Sequence, residues 1–102
     1  MARSLVILSG DPPRGDGSIA AIGTRAEILQ RLRRLNTGPQ AAGEDVLFGP
    51  GIEIEFPPGQ DPVTQMLLRT NDDDLAWDVI AAISRVTHWK MLDPGTGREL
   101  RL

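Results

Sequence analysis

The sequence predicts an α+β fold: a βαββαβ ferredoxin-like two-layer sandwich, with a four-stranded antiparallel sheet and two helices on one face. Three observations carry this expectation. Two segments, 24–35 and 72–86, repeat apolar residues at helical spacing. Two alternating runs, 52–56 and 63–70, stand between them. A short apolar run opens the chain, and a last strand-like run starts at Trp89. Right-handed crossovers then place the first and third strands centrally and the second and fourth at the edges.

Leu5-Val6-Ile7-Leu8 is apolar at every position, as a strand inside a sheet is. Ser9-Gly10-Asp11-Pro12-Pro13 stops it, and the segment to Gly23 reads as a loop. Thr24-Arg25-Ala26-Glu27 matches a capping box. Ile28, Leu29, Leu32 and Leu35 then form one helical stripe, and Gly38-Pro39 marks the stop. Val46-Leu47-Phe48 begins the second strand, which Gly49-Pro50-Gly51 interrupts as a bulge or kink. Ile52, Ile54 and Phe56 point one way, Glu53 and Glu55 the other. After the turn 57–62, Thr64, Met66, Leu68 and Thr70 share a face, with Gln65, Leu67 and Arg69 opposite. Asn71 or Asp72 caps the second helix, and three aspartates fill its first turn, where the helix dipole favours them. Its broad apolar face holds Leu75, Ala76, Val79, Ile80, Ala82, Ile83 and Val86. Beyond the last strand, Asp93 to Gly97 is a turn, and Arg98 to Leu102 folds back as a short extra hairpin strand.

The 102 residues make a single α+β domain, 1–102. An apolar fraction of 40% is too high for a disordered chain. There is no cysteine, which removes disulfides, thiolate nucleophiles and thiolate metal sites. The opening apolar run is too short for a leader, and no stretch is long enough to span a bilayer, so the expected compartment is the cytoplasm. Charge is unevenly spread. Four arginines against Glu27 make residues 24–36 basic, while five carboxylates in 44–61 and four in 72–78 make the middle acidic. This argues against general binding of nucleic acid or an anionic membrane.

No motif carries a recognisable chemistry. Gly10 to Gly15 follows a strand as a phosphate loop does, but Asp16-Gly17 stands where Lys and Ser/Thr are needed. Arg14-Gly15-Asp16, an adhesion-type tripeptide, is too short to weigh. The aspartates at 72, 73, 74 and 78 read as a cap with dipole-matched charge, since a calcium loop needs a different spacing. One histidine without cysteine offers neither a triad order nor a metal-ligand spacing, so neither a cofactor nor a metal is expected.

Two function classes remain. The first is a non-enzymatic protein-interaction or regulatory module, a homodimer among its forms. Its candidate interface residues are Trp77, Leu67, Glu53 and Glu55, reached through the open sheet face, an edge strand or the ground around Trp77. Trp77 falls opposite the Leu75/Val79/Ile83 stripe; it is either an interface anchor or packs under the loop at 19–22. The alternative is a small enzyme or anionic-ligand-binding domain. There Arg14 or Arg98 holds an anion, and His88 or Asp93 moves a proton, between the 10–22 loop, His88 and the 93–98 turn. The open face is covered by the 11–22 loop, by the C-terminal arm or by a partner.

Overall fold

The computed structural model describes residues 3–12 and 15–100. The elements run β1 (Ser4–Leu8), α1 (Arg25–Arg33), β2 (Val46–Gly49), β3 (Ile52–Glu55), β4 (Gln65–Thr70), α2 (Asp73–Thr87) and β5 (Lys90–Leu92). The strands form one sheet in the order β2-β3-β4-β1-β5, with every neighbouring pair antiparallel.

The sheet has five strands, not the expected four. Gly49-Pro50-Gly51 is not a bulge in one long strand but the reversal between two short ones, with Gly49 paired to Ile52. The cause is local. The ring of Pro50 presets its φ, and Gly51 takes φ +75, the proline-then-glycine arrangement of a type II turn. The second expected strand is therefore split, and β2 rather than β3 is the outer strand on that side.

Register assigns the faces. Leu5 pairs with Leu68, and Ile7 with Met66 and Met91. Ile54 pairs with Leu47 and Leu68, and Ile52 with Thr70. These apolar side chains are buried in one cluster with Ile28 and Leu32 of α1 and Ala76, Ile80 and Ile83 of α2. Both helices therefore cover the same face. The uniformly apolar first strand sends Leu5 and Ile7 toward the helices and leaves Val6 and Leu8 on the other side.

The capping box forms as read. The Glu27 amide donates to Thr24 Oγ1 at 3.2 Å, and the Thr24 amide donates to Glu27 Oε1 at 3.3 Å. The Thr24 hydroxyl also donates to Glu27 Oε1 at 2.9 Å, and this bond, together with that from the Thr24 amide, holds the Glu27 pKa below its ordinary value. The helix stops earlier than Gly38-Pro39, because Asn36 adopts a left-handed conformation (φ 56) and the Thr37 amide closes back on the Leu32 carbonyl at 3.0 Å.

The phase of α2 differs from the expected face. Ala76, Ile80, Ile83 and Thr87 are buried, whereas Leu75 is 51% and Val86 56% exposed. The apolar arc of this helix is wider than the sheet beneath it can cover. The Asp72 carboxylate accepts from the Asp74 and Leu75 amides at 3.1 and 3.4 Å. His88 ends the helix in a left-handed conformation, its amide donating to the Ser84 carbonyl at 2.8 Å.

Candidate docking face

The side of the sheet away from the helices is built by alternation. The strand residues that alternate with the helix-facing ones point to it. Cross-strand register arranges these residues in rows. One row crosses all five strands: Leu92, Val6, Leu67, Glu55 and Val46. Beside it run Ser4, Arg69, Glu53 and Phe48. On the other side stand Lys90, Leu8 and Gln65. The central row is an aliphatic band broken only by Glu55, whose carboxylate forms an ion pair with Arg69 Nη1 at 3.4 Å. That ion pair is about half exposed, so water screens it and both groups stay available for contact. A shallow depression of about 370 Å³ opens on the band between Val6, Leu67 and Glu55, walled at one end by Pro57 and Pro58.

Of the two segments expected to cover this face, the loop borders one corner of it and the C-terminal arm runs along its edge. Ile19 and Ala20 of the loop reach only the corner formed by Leu8, Ser9 and Lys90. Within that loop Asp16 is held locally: its Oδ1 accepts from the Ser18 hydroxyl at 2.7 Å and the Ser18 amide at 2.9 Å, which pulls its pKa down. The loop then turns back, and the Ile22 amide donates to the Val63 carbonyl at 2.7 Å. The C-terminal arm runs alongside β5 instead of across the face. It makes a single bridge, Leu92 to Glu99, and the Leu100 amide donates to the Met91 carbonyl at 2.8 Å. The rest of the expected hairpin strand, Arg101 and Leu102, lies outside the described residues.

Both rims of the sheet are engaged by the chain's own backbone. On the β2 side, Gly38 and Phe48 exchange two hydrogen bonds of 3.1 and 2.8 Å. On the β5 side the arm takes the Met91 carbonyl. Strand addition at Phe48 or Met91 would have to displace these bonds first.

The four expected interface residues divide. Leu67, Glu53 and Glu55 share the open face. Trp77 does not join them, because it sits on α2 in the helix layer on the far side of the sheet. Its ring packs against the core, and the Arg3 guanidinium lies over it, 5.2 Å from the ring centroid. The loop at 19–22 is not its cover: Ile22 is tied to Val63 before the start of β4, while Arg3 is tied to Thr70 at the end of that strand.

The residues of the ligand-binding alternative are not drawn into one site. Arg14 lies outside the described residues. His88 is exposed at one end of β5, where Gly10 lies against its carbonyl and leaves no room for a β-carbon. Asp93 and Arg98 are at the opposite end of that strand. There the Asp93 carboxylate accepts from the Gly95 amide at 2.8 Å, and the Asp93 amide donates to the Arg98 carbonyl at 2.8 Å. In the aspartate run, Asp72 caps α2 and the Asp73 carboxylate accepts from the Thr70 hydroxyl at 3.1 Å. Among the described residues no group of three or more His, Cys, Asp or Glu side chains is placed to hold a metal ion, and no helix is long and apolar enough to cross a membrane.

Sequence reasoning missed Phe48, Leu92 and Arg3, and left open whether Val6 and Leu8 or Leu5 and Ile7 face this side. Phe48 stands on the open face, but Val46-Leu47-Phe48 is apolar throughout and its direction cannot be read from alternation. Val6 and Leu92 fall in register with Leu67 only because β1 pairs with both neighbours. Arg3 reaches Trp77 from a segment that carries no pattern. No family model, no curated protein and no solved structure matches this chain.

Proposed function

We propose that this chain is a non-enzymatic protein-interaction module that docks a protein partner on the open face of its sheet. One observation carries this reading: the half-buried aliphatic band Leu92–Val6–Leu67 runs across the side of the sheet away from the helices, while the chain engages both rims of the same sheet with its own backbone. A surface that keeps aliphatic side chains at its centre and polar ones beside them has the make-up of a docking site. The reading takes the fold as ferredoxin-like with one added strand. The order β3-β4-β1-β5, with a helix after β1 and another after β4, supports it.

The partner is a protein rather than a nucleic acid. Phe48 is the single aromatic on the face, and Glu53 stands directly beside it in register. Base stacking uses several aromatics, and a phosphate backbone needs cations in place of Glu53 and Glu55.

The test is a photo-crosslinking amino acid placed at Leu67, with exposed Ala42 as the comparison site. The protein captured at Leu67 is identified, purified and measured for direct binding. The expected result is binding that Leu67→Arg weakens at least about tenfold with the fold intact by circular dichroism. No adduct at Leu67, equal capture at Ala42, or binding indifferent to Leu67→Arg overturns the reading.

A further inference from the structure

The core buries one flank of the apolar arc on α2, Ala76, Ile80 and Ile83, and Val79 beside it is partly buried against the same core. Leu75, Val79, Ala82 and Val86 form a second stripe, spaced four, three and four residues apart, the spacing of a helix-pairing seam. Its two ends are exposed, Leu75 at 51% and Val86 at 56%, and together with Ile19 they are the exposed large apolar side chains among the described residues. One border of the stripe is Ala76 and Ile83, which are buried in the core. The other border is Asp78 and Arg85, both exposed, opposite in charge and one heptad apart. The ion pairs between described side chains, Arg25–Asp45 and Arg69–Glu55, use neither of them.

We propose that α2 is a self-association surface, with the α2 of a second copy packed antiparallel along the Leu75–Val86 stripe. The charges choose the occupant. A two-fold axis brings identical borders together with reversed direction. Asp78 of one copy then faces Arg85 of the other, and the relation is reciprocal. Leu75 meets Val86 at both ends of a contact about 16 Å long, since a helix rises 1.5 Å per residue. A parallel copy would set Asp78 against Asp78 and Arg85 against Arg85. The rest of the helix layer carries the same mixed signs, with exposed Arg31 and Arg33 on α1 and exposed Asp74 on α2. A layer with both signs is complementary to its own reversed copy and offers no net attraction to a partner of one sign. The dimer leaves the two open sheet faces on its outside, free for separate contacts.

Sedimentation equilibrium of the full chain up to about 1 mM tests this, since a seam of four positions supports a weak dimer. The wild type is expected to dimerise reversibly. D78R alone and R85D alone are each expected to weaken the dimer about tenfold, because each sets like charges face to face. D78R combined with R85D in one chain rebuilds both pairs with reversed polarity and is expected to return to within about threefold of wild type. All these positions are exposed, and circular dichroism and thermal unfolding verify that each variant folds. A wild-type chain that stays monomeric, a D78R chain that dimerises as well as wild type, or a double variant that fails to recover overturns the proposal. Loss of dimer in Leu67→Arg, with D78R unaffected, does the same by moving self-association to the sheet.

Discussion

The Arg25 guanidinium donates to the Asp45 carboxylate at 2.6 Å, across twenty residues of sequence. The same fork reaches the Gln60 carbonyl through Nε at 3.0 Å and the Pro57 carbonyl through Nη2 at 2.8 Å, and it lies over the Phe56 ring at 4.7 Å. One side chain of the first helical turn thus fixes the β3–β4 turn and the start of β2. Truncation leaves these acceptors unpaired. Arg25→Ala is expected to lower the unfolding free energy by about 2–3 kcal/mol, given charge-assisted hydrogen bonds and partial exposure. Arg25→Lys should recover less than half of that, because an ammonium cannot reproduce the fork. Urea denaturation of the three chains checks both values.

Gly51 is held on two counts. Its φ is +75, and a β-carbon there would meet the Asp72 carbonyl oxygen at 2.8 Å, the Ala76 amide nitrogen at 2.9 Å and the Leu75 β-carbon at 2.9 Å. Two of those three atoms are backbone and cannot rotate away. Gly59 has a comparable φ of +71 with open space around it. Gly51→Ala is therefore expected to cost about 3 kcal/mol or more, and Gly59→Ala about 1 kcal/mol. Equal losses for the two would show that backbone conformation alone decides.

Glu27 links stability to pH. Its carboxylate accepts from the Thr24 hydroxyl and amide, so its folded pKa lies below the ordinary 4.5. The contribution is complete above the unfolded value and is lost as pH falls through the folded value. Glu27→Gln keeps the reach of the side chain without the titration. Its melting temperature should trail that of the wild type at neutral pH and converge with it as the medium is acidified. Curves that stay parallel into acid would remove the capping carboxylate as the cause.

Trp77 is a packing residue in this structure, shielded on its outer side by Arg3. Trp77→Ala is expected to destabilise the fold by about 2–3 kcal/mol. It should leave self-association unchanged, because the ring lies on the flank of α2 opposite the Leu75–Val86 stripe. Sedimentation at a temperature where both chains are folded separates the two effects.

His88 takes φ 60 and ψ 20 at the end of α2, and its side chain is exposed. Glycine reaches that conformation without the β-carbon clash. His88→Gly is expected to stabilise the protein by about 1 kcal/mol in thermal or urea unfolding. A loss of stability would mean that the imidazole makes a contact worth more than the backbone strain.

The order of helices and strands was legible in the sequence, and so was the sidedness of β3 and β4. Alternation of Ile52, Glu53, Ile54 and Glu55 states which residues lie inward without reference to any neighbour. The capping box at Thr24 is local in the same way, since all its atoms fall within four residues. Three of the four expected interface residues share one face for this reason. Trp77 lies on the other side because it belongs to α2, in the helix layer, where the expected two-layer fold already placed it.

What the sequence by itself determined is therefore the two helices, the order of the elements with β2 and β3 read as one interrupted strand, and the inward side of each alternating strand, because these follow from periodicities a few residues long. Only the tertiary structure decided the direction of the apolar first strand and the half of the α2 arc that the core uses. It also decided that Arg3 covers Trp77 and that the two sheet rims are engaged by the chain. Each of these depends on which surfaces remain after distant segments have packed. A helix with an apolar arc wider than its footprint has several rotations of similar local quality, and contacts with residues far away in the chain select one.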